Sequence, residues 1–200
     1  MITNIPKFRS ILFKALLKLV IAGCFIGLFK KHDLAIAVLL MVKICYNCYK
    51  EILAPKKNKN WLLLIGMFLT GFGGIVGETW GVTNGYWEYH EVTKSIPLWV
   101  PFAWMLVFHF LYKLESNLIT LLEEQTQKKK ILLAIILALV LPAFSEVITI
   151  QLGVWTYYWP YQIFGVPLYA FLCLLFVHML VYIILHFICK RYKINDIVYH

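Results

Sequence analysis

Acidic side chains are scarce in this sequence. Ten Asp and Glu stand among 200 residues against nineteen Lys and Arg, and only 14% of positions are charged, where soluble proteins average about 25%. So little charge cannot cover a water-soluble domain, and the 62% of hydrophobic residues and the mean hydropathy of +0.76 exclude one. Motifs for metal or redox centres are missing too. No H-E-x-x-H or E-x-x-H spacing occurs. Cys45 and Cys48 form a lone C-x-x-C on an apolar stretch, and Cys24, Cys173 and Cys189 lie in or beside apolar runs as small hydrophobes do. No metal and no cofactor are therefore expected. The net charge of +9 does not point to nucleic acid, because the cations gather at the ends of apolar runs instead of along one amphipathic face.

What the chain has in abundance is apolar sequence. Runs at 10–29, 34–52, 61–80, 96–114, 131–152 and 166–189 approach the roughly 20 residues that a membrane span requires. The expected fold is an all-α polytopic integral membrane protein with about six transmembrane helices. Lys7 and Arg9 precede the first run; Lys50, Lys56, Lys57 and Lys59 follow the second; Lys113, Lys128, Lys129 and Lys130 separate the fourth from the fifth; Lys190, Arg191 and Lys193 follow the sixth. By the positive-inside rule both termini are cytoplasmic, in a multi-pass protein of a bacterial inner membrane. Lys30 and Lys31 contradict that pattern, since six spans put them outside. Ile21-Ala22-Gly23-Cys24 has the look of a lipoprotein cleavage site, but the apolar run continues past it and reads as a retained span.

The outer connections carry a motif written twice, Glu78 to Tyr89 (ETWGVTNGYWEY) and Glu146 to Tyr157 (EVITIQLGVWTY). Setting Glu146 over Glu78 also sets Gly153 over Gly85, Trp155 over Trp87 and Tyr157 over Tyr89. With small slips, Pro167-Leu168-Tyr169 answers Pro97-Leu98-Trp99, and His178 answers His109. The chain thus divides into an N-terminal transmembrane hairpin (1–60), a first two-helix unit (61–115), a polar cytoplasmic linker (116–130), and a second unit with a basic tail (131–200). Two spans per unit keep the copies parallel, which implies a pseudo-two-fold axis along the membrane normal. Proline suits the first turn of each descending helix.

Glu78 and Glu146 are the acids that sit deep in apolar sequence. Counted from Trp61 and Ile131 the helix rises about 24 Å before reaching them, into the outer third of a roughly 30 Å hydrocarbon core. An ionisable residue at such depth marks a functional site by default. Low dielectric favours the neutral acid, which is a proton donor; alternatively each Glu only satisfies the backbone freed where a helix breaks. Trp87, Tyr89, Trp104, Trp155 and Tyr157 offer ring faces able to stabilise a cation, or else an aromatic belt. His109 and His178, at similar depth, would tune the glutamates or relay protons. Asn84 and Gln151 would orient a substrate, and His186 reads as a packing residue.

The pattern of Glu78, Gly81, Val82, Gly85, Tyr89, Pro97, Leu98 and Trp104, echoed by Glu146, Gly153, Tyr157, Pro167 and Leu168, resembles membrane carotenoid-biosynthesis proteins of the bacterioruberin-hydratase type and, more distantly, lycopene cyclase domains. The same motif is also similar to that of uncharacterised bacterial membrane families, which carry no activity over. The first resemblance implies a lyase (hydratase) or isomerase (cyclase) acting on a carotenoid-like isoprenoid without a redox cofactor. The expected activity is acid/base catalysis by Glu78 and Glu146 on a membrane lipid or lipid-soluble substrate. A proton- or cation-coupled transporter and a non-catalytic lipid-binding protein are the alternatives.

Overall fold

Asn4 starts the first helix: its side chain accepts from the Lys7 amide, and Pro6 occupies the first turn, where its missing N–H is harmless. The computed structural model describes residues 2–55, 59–92 and 94–200; Lys56 and Lys57 of the inner-side signal lie outside them. Helix α1 spans Ile5–Phe29 and runs unbroken through Cys24; α2 spans Asp33–Cys48 and widens into a π-helical turn, Tyr49–Leu53. Then come α3 (Trp61–Thr83), strand β1 (Trp87–Tyr89), α4 (Val100–Ile119), α5 (Gln127–Gln151), β2 (Trp155–Tyr157), β3 (Gln162–Ile163), β4 (Val166–Pro167) and α6 (Leu168–Tyr192).

Helices α1, α3, α5 and α6 are long and apolar enough to cross a membrane. They turn large side chains outward, among them Phe13, Phe72, Phe176 and Phe187, each more than half exposed, as a lipid-facing surface requires. Helix α2 is short at 16 residues. Helix α4 is enclosed: α1, α2, α3 and α5 all pack on it, and polar side chains in such a helix face the bundle interior. Its buried stripe is Phe108, Leu111, Tyr112, Glu115, Leu118 and Ile119. The prolines are placed unequally. Pro101 takes the first turn of α4, with Pro97 before the helix, and Pro167 is the N-cap of α6.

Helices α3 and α5 end alike. Gly85 and Gly153 have φ of +70° and +68°, a left-handed conformation that an L side chain resists. In each, the glycine amide bonds back to the third residue before it, and the following amide (Tyr86, Val154) bonds to the carbonyl of Gly81 or Thr149, which makes a Schellman cap. Lys30 adds to the second cap, donating to the carbonyls of Leu152 and Gly153 at 3.0 Å each. It also approaches Glu91 to 3.8 Å, as does Lys31. The two lysines that defied the charge rule are therefore matched locally, by the negative end of α5 and by one carboxylate.

Beyond these caps β1 and β2 pair antiparallel, Trp87 with Tyr157, Glu88 with Thr156 and Tyr89 with Trp155. The amides of His90 and Tyr158 extend the ladder to the carbonyls of Val154 and Tyr86. This register is self-complementary, as in an isologous contact: each tryptophan faces the tyrosine of the other motif.

At the opposite end the expected linker and tail are folded parts of the core. Helix α4 continues to Ile119, α5 begins at Gln127, and residues 194–200 hook back under the helices, burying Val198 and Tyr199. Asp196 accepts from the Tyr112 hydroxyl at 2.7 Å, the Tyr182 hydroxyl donates to the Val198 carbonyl, and Lys130 reaches the carbonyl of His200. His186, expected to pack only, bonds the Tyr199 carbonyl through Nδ1. Ile2 bridges to Leu122 at this same end.

Candidate functional site

Glu78 lies one turn before the end of α3, and its surroundings follow from small residues nearby. A side chain at Gly81 would overlap the Trp87 indole, so only glycine lets β1 fold Trp87 back over the helix. Gly74 gives Trp104 of α4 the same room. As a result Glu78 Oε2 accepts from Trp87 Nε1 at 3.0 Å and from the Tyr89 hydroxyl at 2.9 Å, while Oε1 accepts from Trp104 Nε1 at 3.1 Å. Three donors surround one carboxyl group.

Glu146 is the sparser counterpart. Its Oε2 accepts from the Tyr157 hydroxyl at 3.0 Å, across the same eleven-residue spacing as Tyr89 to Glu78. The indole that should answer Trp87 does not answer it: Trp155 Nε1 is buried without an acceptor among the described residues. The Trp104 donor has no equivalent, since Cys173 and Leu174 stand at that level of α6. Glu146 thus keeps acceptor capacity that Glu78 has used.

Both glutamates line one cavity of about 690 Å³. Its outer end holds Tyr89, Trp99, Trp104, Trp155 and Tyr157; its middle is apolar; its inner end holds His109, Lys113 and Asn47. A second cavity of about 70 Å³, between α3 and α6, touches the same two acids from the other side, with Trp87 and Trp104. The acids therefore form part of the partition between two spaces. Rings from the two motifs interlock there: Trp87 meets Tyr157 edge-on at 5.5 Å, and Tyr89 meets Trp155 at 5.6 Å. At the outer rim Tyr86, Trp159 and Tyr169 stack at 4.3 Å spacings. The Tyr158 hydroxyl donates to Glu88, a bond that raises the phenol's pKa.

The remaining expected site residues are distributed differently. His178 is not a partner of Glu146: its Nε2 lies 2.8 Å from Oε1 of Glu115, both groups almost wholly buried. His109 lines the cavity but bonds neither glutamate among the described residues. The cause is depth, since α4 and α6 carry both histidines well below the ladder. Asn84 is exposed and bonds the Trp80 carbonyl, and Gln151 is exposed on the last turn of α5; neither reaches the cavity. Glu115 is the residue that sequence reading missed. Its signal was present in the stripe Phe108, Leu111, Tyr112, Glu115, Leu118, Ile119, which continues a buried helical face straight through a polar stretch. Among the described residues no three His, Cys, Asp or Glu come together as a metal site would need.

No curated protein and no solved structure matches this chain. A family model matches residues 86–199, from the start of the ladder through α4, Glu146 and α6 to the hook. The match spans more than half of the sequence, and the chain belongs to the family of the domain of unknown function DUF6989.

Proposed function

We propose that this protein is a cofactor-independent membrane enzyme in which Glu146 is the acid/base group, acting on an isoprenoid or similar lipid in the large cavity. The observation that carries the reading is the inequality of the two acids within one cavity. Glu78, held by three donors, orients the aromatic wall and presents a fixed field; Glu146, held by one, is free to exchange a proton with a substrate atom. A proton moved from the Glu146 carboxyl to a terminal double bond leaves a carbocation, which the ring faces of Tyr89, Trp155 and Tyr157 stabilise. Addition of water, with its proton returning to Glu146, completes a hydration; attack by a second double bond and loss of a proton completes a cyclisation. This agrees with the resemblance to carotenoid hydratases and cyclases.

An internal duplication of the α3–α4 and α5–α6 units is part of the same proposal. Its support is the pair of Schellman caps, the equal Glu–Tyr spacings and the self-complementary ladder. Six crossings, in a bacterial inner membrane with both termini cytoplasmic, complete it. The local pairing of Lys30 and Lys31 and the common end shared by residues 2–3, 120–130 and 194–200 favour that topology. Cation transport is disfavoured, because four lysines, Lys14, Lys18, Lys43 and Lys113, line the inner part of the cavity. The test is to express the wild type and Glu146→Gln in a carotenoid- and isoprenoid-producing host and compare membrane lipids by mass spectrometry. A product present with wild type and lost with the variant is expected; identical profiles from the two proteins, with wild type altering them, would count against Glu146.

A further inference from the structure

The inner end of the cavity poses a separate chemical question. Lys14 and Lys18 of α1, Lys43 of α2 and Lys113 of α4 converge on it from three helices. Ordinary topology signals stand beyond helix ends in water; these four lie within helices and face a common space. On α1 the lining residues Ile11, Lys14, Ala15, Lys18, Leu19, Ala22 and Ile26 follow one helical stripe. Lys113 is met by Glu51 at 2.7 Å, but Lys14, Lys18 and Lys43 form no ion pair among the described residues. Beside Lys43 on the same face, Asn47 is 6% exposed and its amide Nδ2 has no acceptor among the described residues. Three cations without a carboxylate partner, one of them (Lys43) 5.3 Å from the centre of the Tyr46 ring, and a buried unused donor present a surplus of donors to whatever fills this space.

We propose that the inner end binds the phosphate or diphosphate headgroup of an amphiphile whose apolar chain extends through the middle of the cavity to Glu146. Phosphate oxygens accept from ammonium and amide N–H groups together, so one headgroup satisfies Lys14, Lys18, Lys43 and Asn47. The scale fits a lipid: between Lys113 and Val100, both on the cavity lining, α4 rises about 20 Å, the reach of an extended chain and far beyond that of a free anion. The acid then works at the end of the chain remote from the headgroup. The inference rests on reading the cavity as the lipid site, and it names the substrate class as a phosphorylated isoprenoid-like lipid.

Binding to the purified full chain in a neutral detergent tests it, with three probes: geranylgeranyl diphosphate, geranylgeraniol and inorganic pyrophosphate. The diphosphate ester is expected to bind about tenfold or more tighter than the alcohol, the equivalent of one charge-assisted hydrogen bond, and pyrophosphate alone to bind weakly. The triple variant Lys14→Gln/Lys18→Gln/Lys43→Gln is expected to bring the ester down to the alcohol's affinity without changing the alcohol's. Asn47→Leu, which keeps every charge, should weaken only the ester. Equal affinity of wild type for ester and alcohol would overturn the headgroup site, and pyrophosphate binding as tightly as the ester would overturn the amphiphile. The wild-type comparison decides both points even where the triple variant does not fold. Glu146→Gln is expected to bind the ester like wild type. Wild type that discriminates ester from alcohol but leaves the host's lipid profile unaltered would remove the catalytic reading and leave the headgroup site standing, whereas wild type that alters the profile without discriminating would do the reverse.

Discussion

Glu78 and Glu146 stand at the same place in the same local fold, each before a Schellman cap and each bonded by a tyrosine eleven residues on. Around Glu78 two indoles close the shell; around Glu146 one indole points its N–H at nothing and the other is missing. Shared backbone geometry therefore does not impose shared chemistry. A few side chains decide whether a buried carboxyl is a structural anchor or an available group.

The sharpest way to break this comparison is to exchange each acid for its amide. Glu146→Gln should reduce product formation by about two to four orders of magnitude, the range of a lost acid/base group, and leave thermal stability in detergent close to wild type. Glu78→Gln should show the opposite balance, with a smaller effect on product. Its NH2 group must face one of three donors, and each unsatisfied partner costs about 1–3 kcal/mol. Matching losses of activity and stability in both variants would sink the asymmetry. A third acid gives the next largest effect: His178→Phe leaves Glu115 buried without its partner, and breaking a buried pair costs about 3–5 kcal/mol, visible as a large drop in melting temperature.

Smaller changes sharpen the same contrast. Trp87→Phe removes a hydrogen bond to Glu78, with an expected loss of about 1.5–3 kcal/mol if that group is ionised. Trp155→Phe loses the same ring volume but removes an N–H that bonds nothing, so its loss should be smaller than that of Trp87→Phe by about 1 kcal/mol or more. Denaturation of the two variants side by side checks the pair, and a larger loss at Trp155 would mean its indole already has a partner. Smallest in footprint is Gly81→Ala. The added methyl group meets the Trp87 ring and should lower stability about as much as Trp87→Phe, with little further loss when the two are combined.

Much of this was legible in the sequence. Long apolar runs announced α1, α3, α5 and α6, and the repeated Glu, Gly, Trp and Tyr spacing pointed to the pair of acids in one cavity. The inner half was hidden for a physical reason. Hydropathy averages over a helix and is blind to which face is covered, so the stretch after Lys113 read as a polar extension of the fourth helix within a linker, which α4 bears out as far as Ile119, but not as a buried face holding Glu115, Leu118 and Ile119. What covers that region includes residues from 194–200, far along the chain, and no local pattern announces a hook. His178 was assigned to the wrong acid and His109 to one it does not bond, because depth along a helix was counted without knowing which helix each would face. Nor does spacing reveal that Trp155 lacks an acceptor, since the missing groups belong to other elements.

The two halves also differ in when they can exist. Trp87, Tyr89 and Trp104 lie nine, eleven and 26 residues beyond Glu78, so the first acid is fully enclosed once α4 has been made. The ladder that joins the motifs must wait for β2, whose Thr156 meets His90 across 66 residues, and such distant contacts form late. The Glu78 cluster is thus a finished template during synthesis. Strand β2 docks on it, and the cavity acquires its wall of Trp155 and Tyr157 only at that step, so Glu146 is enclosed last.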